Sequence, residues 1–127
     1  MDKISILGGK TLEGIIKISG SKNATLPILA SSLLTSEKSN LSNVPNLLDT
    51  KIMKKIINEL GVETRSIGDK INFHGLPRTI EVSENLVNKM RASILILSPL
   101  LQSQKKVRIP LPGGCAIGSR PIDMHID

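Results

Sequence analysis

The sequence predicts a mixed α/β fold in which short strands and apolar-faced helices alternate along a chain of 127 residues. Three observations support this prediction. Runs of β-branched residues spaced by two alternate with longer segments whose apolar residues recur every three or four positions. Gly and Pro separate these segments. A hydrophobic fraction of 39% is sufficient to bury a core, which argues against a disordered chain.

The first elements are predicted as two strands, a helix and a third strand. Ile4–Leu7 and Gly14–Ile18 have the β-rich spacing of strands. A Ser-Gly-Ser turn then leads into a helix over Ala24–Leu34, where Pro27 is tolerable because it falls in the first turn. Asn40–Val44 is a short strand that ends before a proline.

A second helix follows this strand. Either Asp49 or Thr50 could cap its N-terminus, and Gly61 stands where a helix C-cap is expected. Its apolar residues share one face, which predicts that this face is buried. The face consists of Ile52, Met53, Ile56, Ile57 and Leu60.

The remaining elements are a hairpin, a long helix and a strand. Val62–Ser66 and Ile71–Phe73 are predicted strands joined across Gly68-Asp69. Leu86–Leu101 is the longest predicted helix, and Lys106–Leu111 is a strand. The predicted apolar face of the long helix consists of Leu86, Met90, Ile94, Leu97 and Leu101.

A faint internal repeat groups these elements. Leu33-Leu34, Lys38 and Pro45 recur with the same spacing in Leu100-Leu101, Lys105 and Pro112. Chance could produce such matches in a chain rich in Leu, Ser and Lys. If the repeat is real, one unit is β-α-β-α-β-β, with the first over about 14–74 and the second from about 79 to 127. Residues 121–127 look like the opening turns of a helix without a C-cap, which predicts a piece of a larger protein.

Composition excludes several classes of protein. A single Cys rules out a disulfide framework and a multi-Cys metal site, and favours a cytoplasmic location. No apolar run is long enough for a membrane helix, and the N-terminus lacks the features of a signal peptide. The net charge of +6 favours anionic partners, yet a single aromatic residue argues against binding of single-stranded nucleic acid.

The loop 112–120 holds the strongest candidate for chemistry. Two glycines precede Cys115, which is expected to expose its thiol, and the nearby Arg120 would favour the thiolate. The alternative is that Cys115 is a small buried hydrophobic residue.

Two further cationic positions are candidates for anion binding. Lys22 and Asn23 lie where a strand gives way to a helix, and helix N-termini bind anions. A solvated Lys beside an Asn cap explains the same pattern. Arg91 lies in a very apolar segment, so it either pairs with a carboxylate or reaches an anionic ligand. Asp123, His125 and Asp127 are spaced by two and do not share a helix face, so no metal site is predicted.

The motifs SGSKNATLPIL, MRAS, PGGCAIGSRP and PIDMHI together resemble the family of UDP-N-acetylglucosamine 1-carboxyvinyltransferases over essentially the whole chain. These bacterial enzymes open peptidoglycan synthesis. The resemblance implies two domains, each an inside-out α/β barrel of three β-α-β-α-β-β units. The chain would supply roughly the first third. Residues 1–21 would pack with the other domain, and 22–127 would form an incomplete first barrel.

The resemblance also implies a reaction, with no cofactor. The family moves the enolpyruvyl group of phosphoenolpyruvate to the 3-hydroxyl of UDP-N-acetylglucosamine and releases phosphate. Cys115 would donate a proton to phosphoenolpyruvate and be open to alkylation by fosfomycin. Lys22, Asn23 and Arg120 would bind phosphoenolpyruvate. The residues implied to contact the UDP-sugar are Arg91, Arg120, Pro121, Ile122, Asp123 and Met124.

Two other functions fit parts of the pattern. A shikimate-pathway enolpyruvyl transferase would share the fold and phosphoenolpyruvate, although the Cys loop and the RPIDMH segment argue against it. A non-catalytic basic module would bind acidic partners with an affinity that falls steeply as the salt concentration rises and does not depend on Cys115.

Overall fold

The structure, a computed structural model, describes residues 3–110 of the chain. Helices and strands are interspersed along this part, so the predicted mixed α/β class is confirmed. Two 3₁₀ segments, Ser32–Leu34 and Arg91–Ile96, accompany the regular elements. Those elements are α1 Lys22–Ser31, β1 Ser39–Leu41, α2 Leu48–Glu59, β2 Glu63–Ile67, β3 Lys70–His74, α3 Glu84–Val87 and α4 Leu97–Gln104.

The three strands form one antiparallel sheet with β3 in the centre, in the order β1-β3-β2. Strands β2 and β3 pair up to Ile67 opposite Lys70, so the hairpin predicted across Gly68-Asp69 is confirmed. Gly68 has a φ of 59°, a value that favours glycine at the first position of a tight hairpin loop. Strand β1 ends earlier than predicted because Asn43 turns the chain with a φ of 56°.

Helix α2 supplies much of the core. All five apolar residues of its predicted face are buried, and Gly61 has a φ of 102° directly after the helix, as a C-terminal glycine should. The predicted cap was wrong: Leu47 is the N-cap, and Asp49 and Thr50 lie in the first turn. At the other end of α2 the Glu59 carboxylate accepts hydrogen bonds from the Ser83 N–H and hydroxyl, at 2.8 and 3.0 Å. This contact fixes the start of α3 to α2.

Helix α1 begins two residues earlier than predicted. Ser21 is the N-cap, so Lys22 is the first helical residue and Pro27 falls in the second turn. One face of the helix packs against α2 and the 3₁₀ segment Arg91–Ile96, and it buries Thr25, Leu26, Leu29 and Ala30.

The long helix predicted over Leu86–Leu101 does not form. Met90 is extended, with φ −148° and ψ 118°, and separates α3 from the 3₁₀ segment and α4. Its side chain is buried in the core. The predicted face was therefore wrong beyond Met90, because the break rotates the later residues. The buried residues of this region are Val87, Met90, Ser93, Ile96 and Leu100.

Three predicted strands are absent from the described residues. Residues 3–20 contain no strand, and Ile4, Leu7 and Ile15 are 88–102% exposed. The part of Lys106–Leu111 that the structure describes holds one bridge, Arg108 to Glu81. A strand requires a hydrogen-bonded neighbour, and no extended segment within residues 3–110 pairs with residues 3–20. Local β propensity alone did not produce a strand here.

Replacing Thr50 with Val should stabilise the chain. Thr50 is 3% exposed, and its Oγ1 is buried without a hydrogen-bond partner. Val has nearly the same shape and removes the unpaired hydroxyl, so the free energy of unfolding should rise by about 1 kcal/mol. Urea unfolding followed by circular dichroism measures the change. In the matched variant Ser32→Ala, the lost hydroxyl donates to the Leu29 carbonyl at 2.7 Å, and the chain should lose stability. Any loss of stability in Thr50→Val would contradict the prediction.

Candidate functional site: the N-termini of α1 and α2

The N-terminus of α1 carries two of the predicted site residues. Lys22 and Asn23 are its first two residues, and both are exposed. The Ser21 hydroxyl accepts a hydrogen bond from the Ala24 N–H at 3.4 Å, so Ser21, and not Asn23, caps the helix. Since the first N–H groups of a helix have no partner within it, those of Lys22 and Asn23 point away from the helix body. A cationic side chain thus lies beside free backbone donors, a combination that suits an anion.

The Lys22 ammonium is paired with a carboxylate from another helix. Its Nζ lies 3.0 Å from Oδ2 of Asp49, in the first turn of α2. The Lys22 side chain is 48% exposed and that of Asp49 31%, so the pair lies at the surface but is partly covered. Sequence reasoning considered Asp49 only as a possible cap. No local signal links the two residues, because the packing of α1 on α2 brings them together.

The approach of the chain to α1 depends on Gly20. A Cβ atom built on Gly20 would overlap the carbonyl oxygen of Asn43 and lie 3.1 Å from Cδ of Pro45. The residues before α1 therefore cross directly over the connection between β1 and α2. That connection is itself held to the hairpin, because the Val44 N–H donates to the Asp69 carbonyl at 2.8 Å.

Arg91 lies at the start of the 3₁₀ segment that follows the extended Met90, and it is half-buried. Sequence reasoning placed Arg91 inside a continuous apolar helix, and that setting was wrong. The 3₁₀ segment packs against α1, so the elements that carry Arg91 and Lys22 are neighbours.

The other predicted site residues lie outside the described residues: Cys115, Arg120, Pro121, Ile122, Asp123 and Met124. The structure therefore brings together the N-termini of α1 and α2 and packs the segment of Arg91 against α1. It describes nothing of the cysteine loop.

A cavity of about 530 Å³ opens beside α2, between its first turns and the hairpin. Thr50, Lys51, Lys54 and Ser66 contribute to its wall, and the Lys54 ammonium donates to the Ser66 hydroxyl. Within residues 3–110, no group of three or more His, Cys, Asp or Glu residues could hold a metal ion. None of the helices in this part of the chain is both long and apolar enough to cross a membrane.

Comparison with known proteins extends over nearly the whole sequence. Residues 6–127 match the family described as EPSP synthase (3-phosphoshikimate 1-carboxyvinyltransferase). Curated relatives from Acidiphilium cryptum and Desulfatibacillum aliphaticivorans are 45% and 48% identical over 99% of this chain, and one from Coxiella burnetii is 47% identical over 100% of it. All three are named UDP-N-acetylglucosamine 1-carboxyvinyltransferase. The chain spans about 30% of the length of each.

One solved structure supports the fold. The enolpyruvyl transferase NikO from Streptomyces tendae superposes with a TM-score of 0.66 at 21% identity, over 76% of this chain and 23% of that one. Together with the family match, this likeness confirms the predicted enolpyruvyl transferase fold, of which the described residues form a part.

Proposed function

The chain belongs to the EPSP synthase family of carboxyvinyltransferases, and from this we propose that it is part of a UDP-N-acetylglucosamine 1-carboxyvinyltransferase. Such an enzyme transfers the enolpyruvyl group of phosphoenolpyruvate to the 3-hydroxyl of UDP-N-acetylglucosamine and releases phosphate. The observation that carries the proposal is the 45–48% identity to relatives of that name over 99–100% of the chain.

The reaction begins with protonation of the methylene carbon of phosphoenolpyruvate, which makes the adjacent carbon electrophilic. The sugar hydroxyl adds to that carbon and loses its proton. Elimination of phosphate, with loss of a proton from the new methyl group, then restores the double bond. By resemblance, Cys115 donates the first proton, because a positioned thiol is an effective general acid. Its sulfur can also add to phosphoenolpyruvate covalently.

The described site fits the anionic substrate. Phosphoenolpyruvate carries a phosphate and a carboxylate, and the N-terminus of α1 offers free N–H groups beside the Lys22 ammonium. We assign Lys22, Asn23 and Arg120 to phosphoenolpyruvate. Cationic groups held in place before the substrate binds stabilise charge in the transition state without further reorganisation.

The UDP-sugar is assigned to a second set of residues. Arg91 is carried by the 3₁₀ segment that packs on α1, the helix whose first two residues we assign to phosphoenolpyruvate. The remaining residues of this set are Arg120, Pro121, Ile122, Asp123 and Met124. Most of these belong to the segment after the cysteine loop.

A chimera tests the proposal. The 127 residues replace the segment they match in the Coxiella burnetii relative, and phosphate release from phosphoenolpyruvate is measured with UDP-N-acetylglucosamine as acceptor. The unmodified relative is assayed in parallel. We expect phosphate release that depends on the UDP-sugar. A folded chimera without phosphate release would refute the proposal.

The description of the matched family favours one second candidate, a 3-phosphoshikimate 1-carboxyvinyltransferase. The two enzymes share phosphoenolpyruvate and differ in the acceptor. Because most of the first chimera comes from the Coxiella burnetii relative, a second chimera places the 127 residues in a 3-phosphoshikimate 1-carboxyvinyltransferase and is assayed with shikimate 3-phosphate. Turnover by the second chimera alone would assign the chain to this second candidate.

The 127-residue chain by itself should release no phosphate from the two substrates. It spans about 30% of the length of its relatives, and by resemblance the base for the sugar hydroxyl lies in sequence beyond it. The measurement is phosphate release by the purified chain beside the chimera at equal concentration. Turnover by the chain alone would show that it holds all the groups the reaction needs.

A further inference from the structure

We infer that Asp49 is a positioning residue for phosphoenolpyruvate binding, because it holds the Lys22 ammonium at the point where the N-termini of α1 and α2 meet. The inference rests on the proposed function and deepens it: it assigns a role to a residue that the sequence motifs do not include.

The Lys22–Asp49 ion pair differs in distance and in side-chain exposure from the other ion pairs among residues 3–110. Lys22 Nζ lies 3.0 Å from Asp49 Oδ2, whereas Lys17 lies 3.7 Å from Asp69 with its side chain 83% exposed. The pair formed by Arg108 and Glu81 is close, but those side chains are 78% and 57% exposed. The Lys22–Asp49 pair is the most covered of the three.

The pair also joins two rigid elements rather than two loops. Lys22 is the first residue of α1, Asp49 lies in the first turn of α2, and the two helices pack together. The backbone positions of both residues are fixed by helical hydrogen bonds and by a shared core. The carboxylate can therefore hold the ammonium at one place relative to the free N–H groups of α1.

Two opposing effects decide how Asp49 acts on an anionic ligand. Its negative charge repels the ligand, but the positive end of the α2 dipole already compensates that charge in the first turn. A free Lys side chain, in contrast, samples many rotamers on its four-carbon stem and must lose that freedom when a ligand binds. An ammonium donates three hydrogen bonds, so one to Asp49 leaves two for the ligand. We conclude that orientation outweighs repulsion.

The test uses three variants in the active chimera. Asp49→Asn removes the charge with almost no change of shape, Asp49→Glu retains it, and Lys22→Ala removes the cation. For Asp49→Asn, we expect the KM for phosphoenolpyruvate to rise about fivefold, an effect of the size typical of a partly exposed ion pair. The KM for UDP-N-acetylglucosamine should stay unchanged, and Asp49→Glu should recover part of the loss. The matched control Glu81→Gln removes one carboxylate from a distant ion pair and should alter neither KM.

The double variant separates positioning from a general structural effect. If Asp49 acts through Lys22, then Asp49→Asn should add less than about 1.5-fold to the KM of Lys22→Ala. Full multiplication of the two effects, equal rises in both KM values, or a lower KM for phosphoenolpyruvate in Asp49→Asn would each overturn the inference. If the parent chimera turns over, these outcomes reject the role of Asp49 and leave the proposed function intact. A parent chimera that folds but is inactive would refute both the proposed function and the role of Asp49.

Discussion

Cys115→Ser in the chimera should lower the rate of phosphate release by at least about 100-fold, the usual contribution of a positioned general acid. A serine hydroxyl is a far weaker acid than a thiol, so it cannot supply the proton that makes phosphoenolpyruvate electrophilic. Steady-state rates at saturating concentrations of both substrates measure the effect. Near-normal turnover by Cys115→Ser would show that Cys115 is not the acid.

Two controls separate loss of the acid from damage to the loop. Cys115→Asp supplies another group able to donate a proton, so this variant should retain turnover. Fosfomycin should inactivate the parent chimera by alkylating the thiol and should leave Cys115→Asp active. Inactivation of both proteins by fosfomycin would mean that it reacts at another residue.

Gly20→Ala should lower the stability of the chain and disturb the start of α1. The added Cβ would overlap the Asn43 carbonyl oxygen and lie 3.1 Å from Cδ of Pro45, so the backbone must shift. Strain of this kind typically costs about 1–3 kcal/mol. The thermal midpoint of the chimera should fall, and amide hydrogen exchange in α1 should accelerate.

The same shift should impair the site, because the segment that moves leads directly into Lys22. The KM for phosphoenolpyruvate should therefore rise in Gly20→Ala. In the 127-residue chain Gly8→Ala is the matched control, since a Cβ on Gly8 has no atom within 4 Å there, and it should leave the thermal midpoint of that chain unchanged while Gly20→Ala lowers it. Wild-type behaviour of Gly20→Ala would show that the close approach to Asn43 is not needed.

Sequence patterns correctly predicted the elements of the fold that are determined by residues close together in the sequence. The buried face of α2 follows from apolar residues at helical spacing, and the hairpin follows from the Gly68-Asp69 signal between two strands. Gly61 marks the end of α2 because few other residues adopt its φ of 102° at low cost. In each case one element and its immediate neighbours contain the physical cause.

The helix and strand predictions that were wrong failed because contacts between distant parts of the chain decided those elements. Periodicity continues through Met90, so it predicts one helix, but Met90 is extended and buries its side chain in the core, and the helix breaks there. The strands predicted within residues 3–20 have suitable residues, yet a strand also needs a partner, and propensity does not supply one.

For the site, the sequence by itself determined which residue types are present and, through the motifs, the family to which the chain belongs. The cysteine loop, Lys22-Asn23 and Arg91 were all identified there. Only the tertiary structure decided that Asp49 meets Lys22, because their ion pair depends on how α1 packs against α2. Contacts between residues far apart in the chain leave no periodic trace in a single sequence, since packing of the core alone sets their distance.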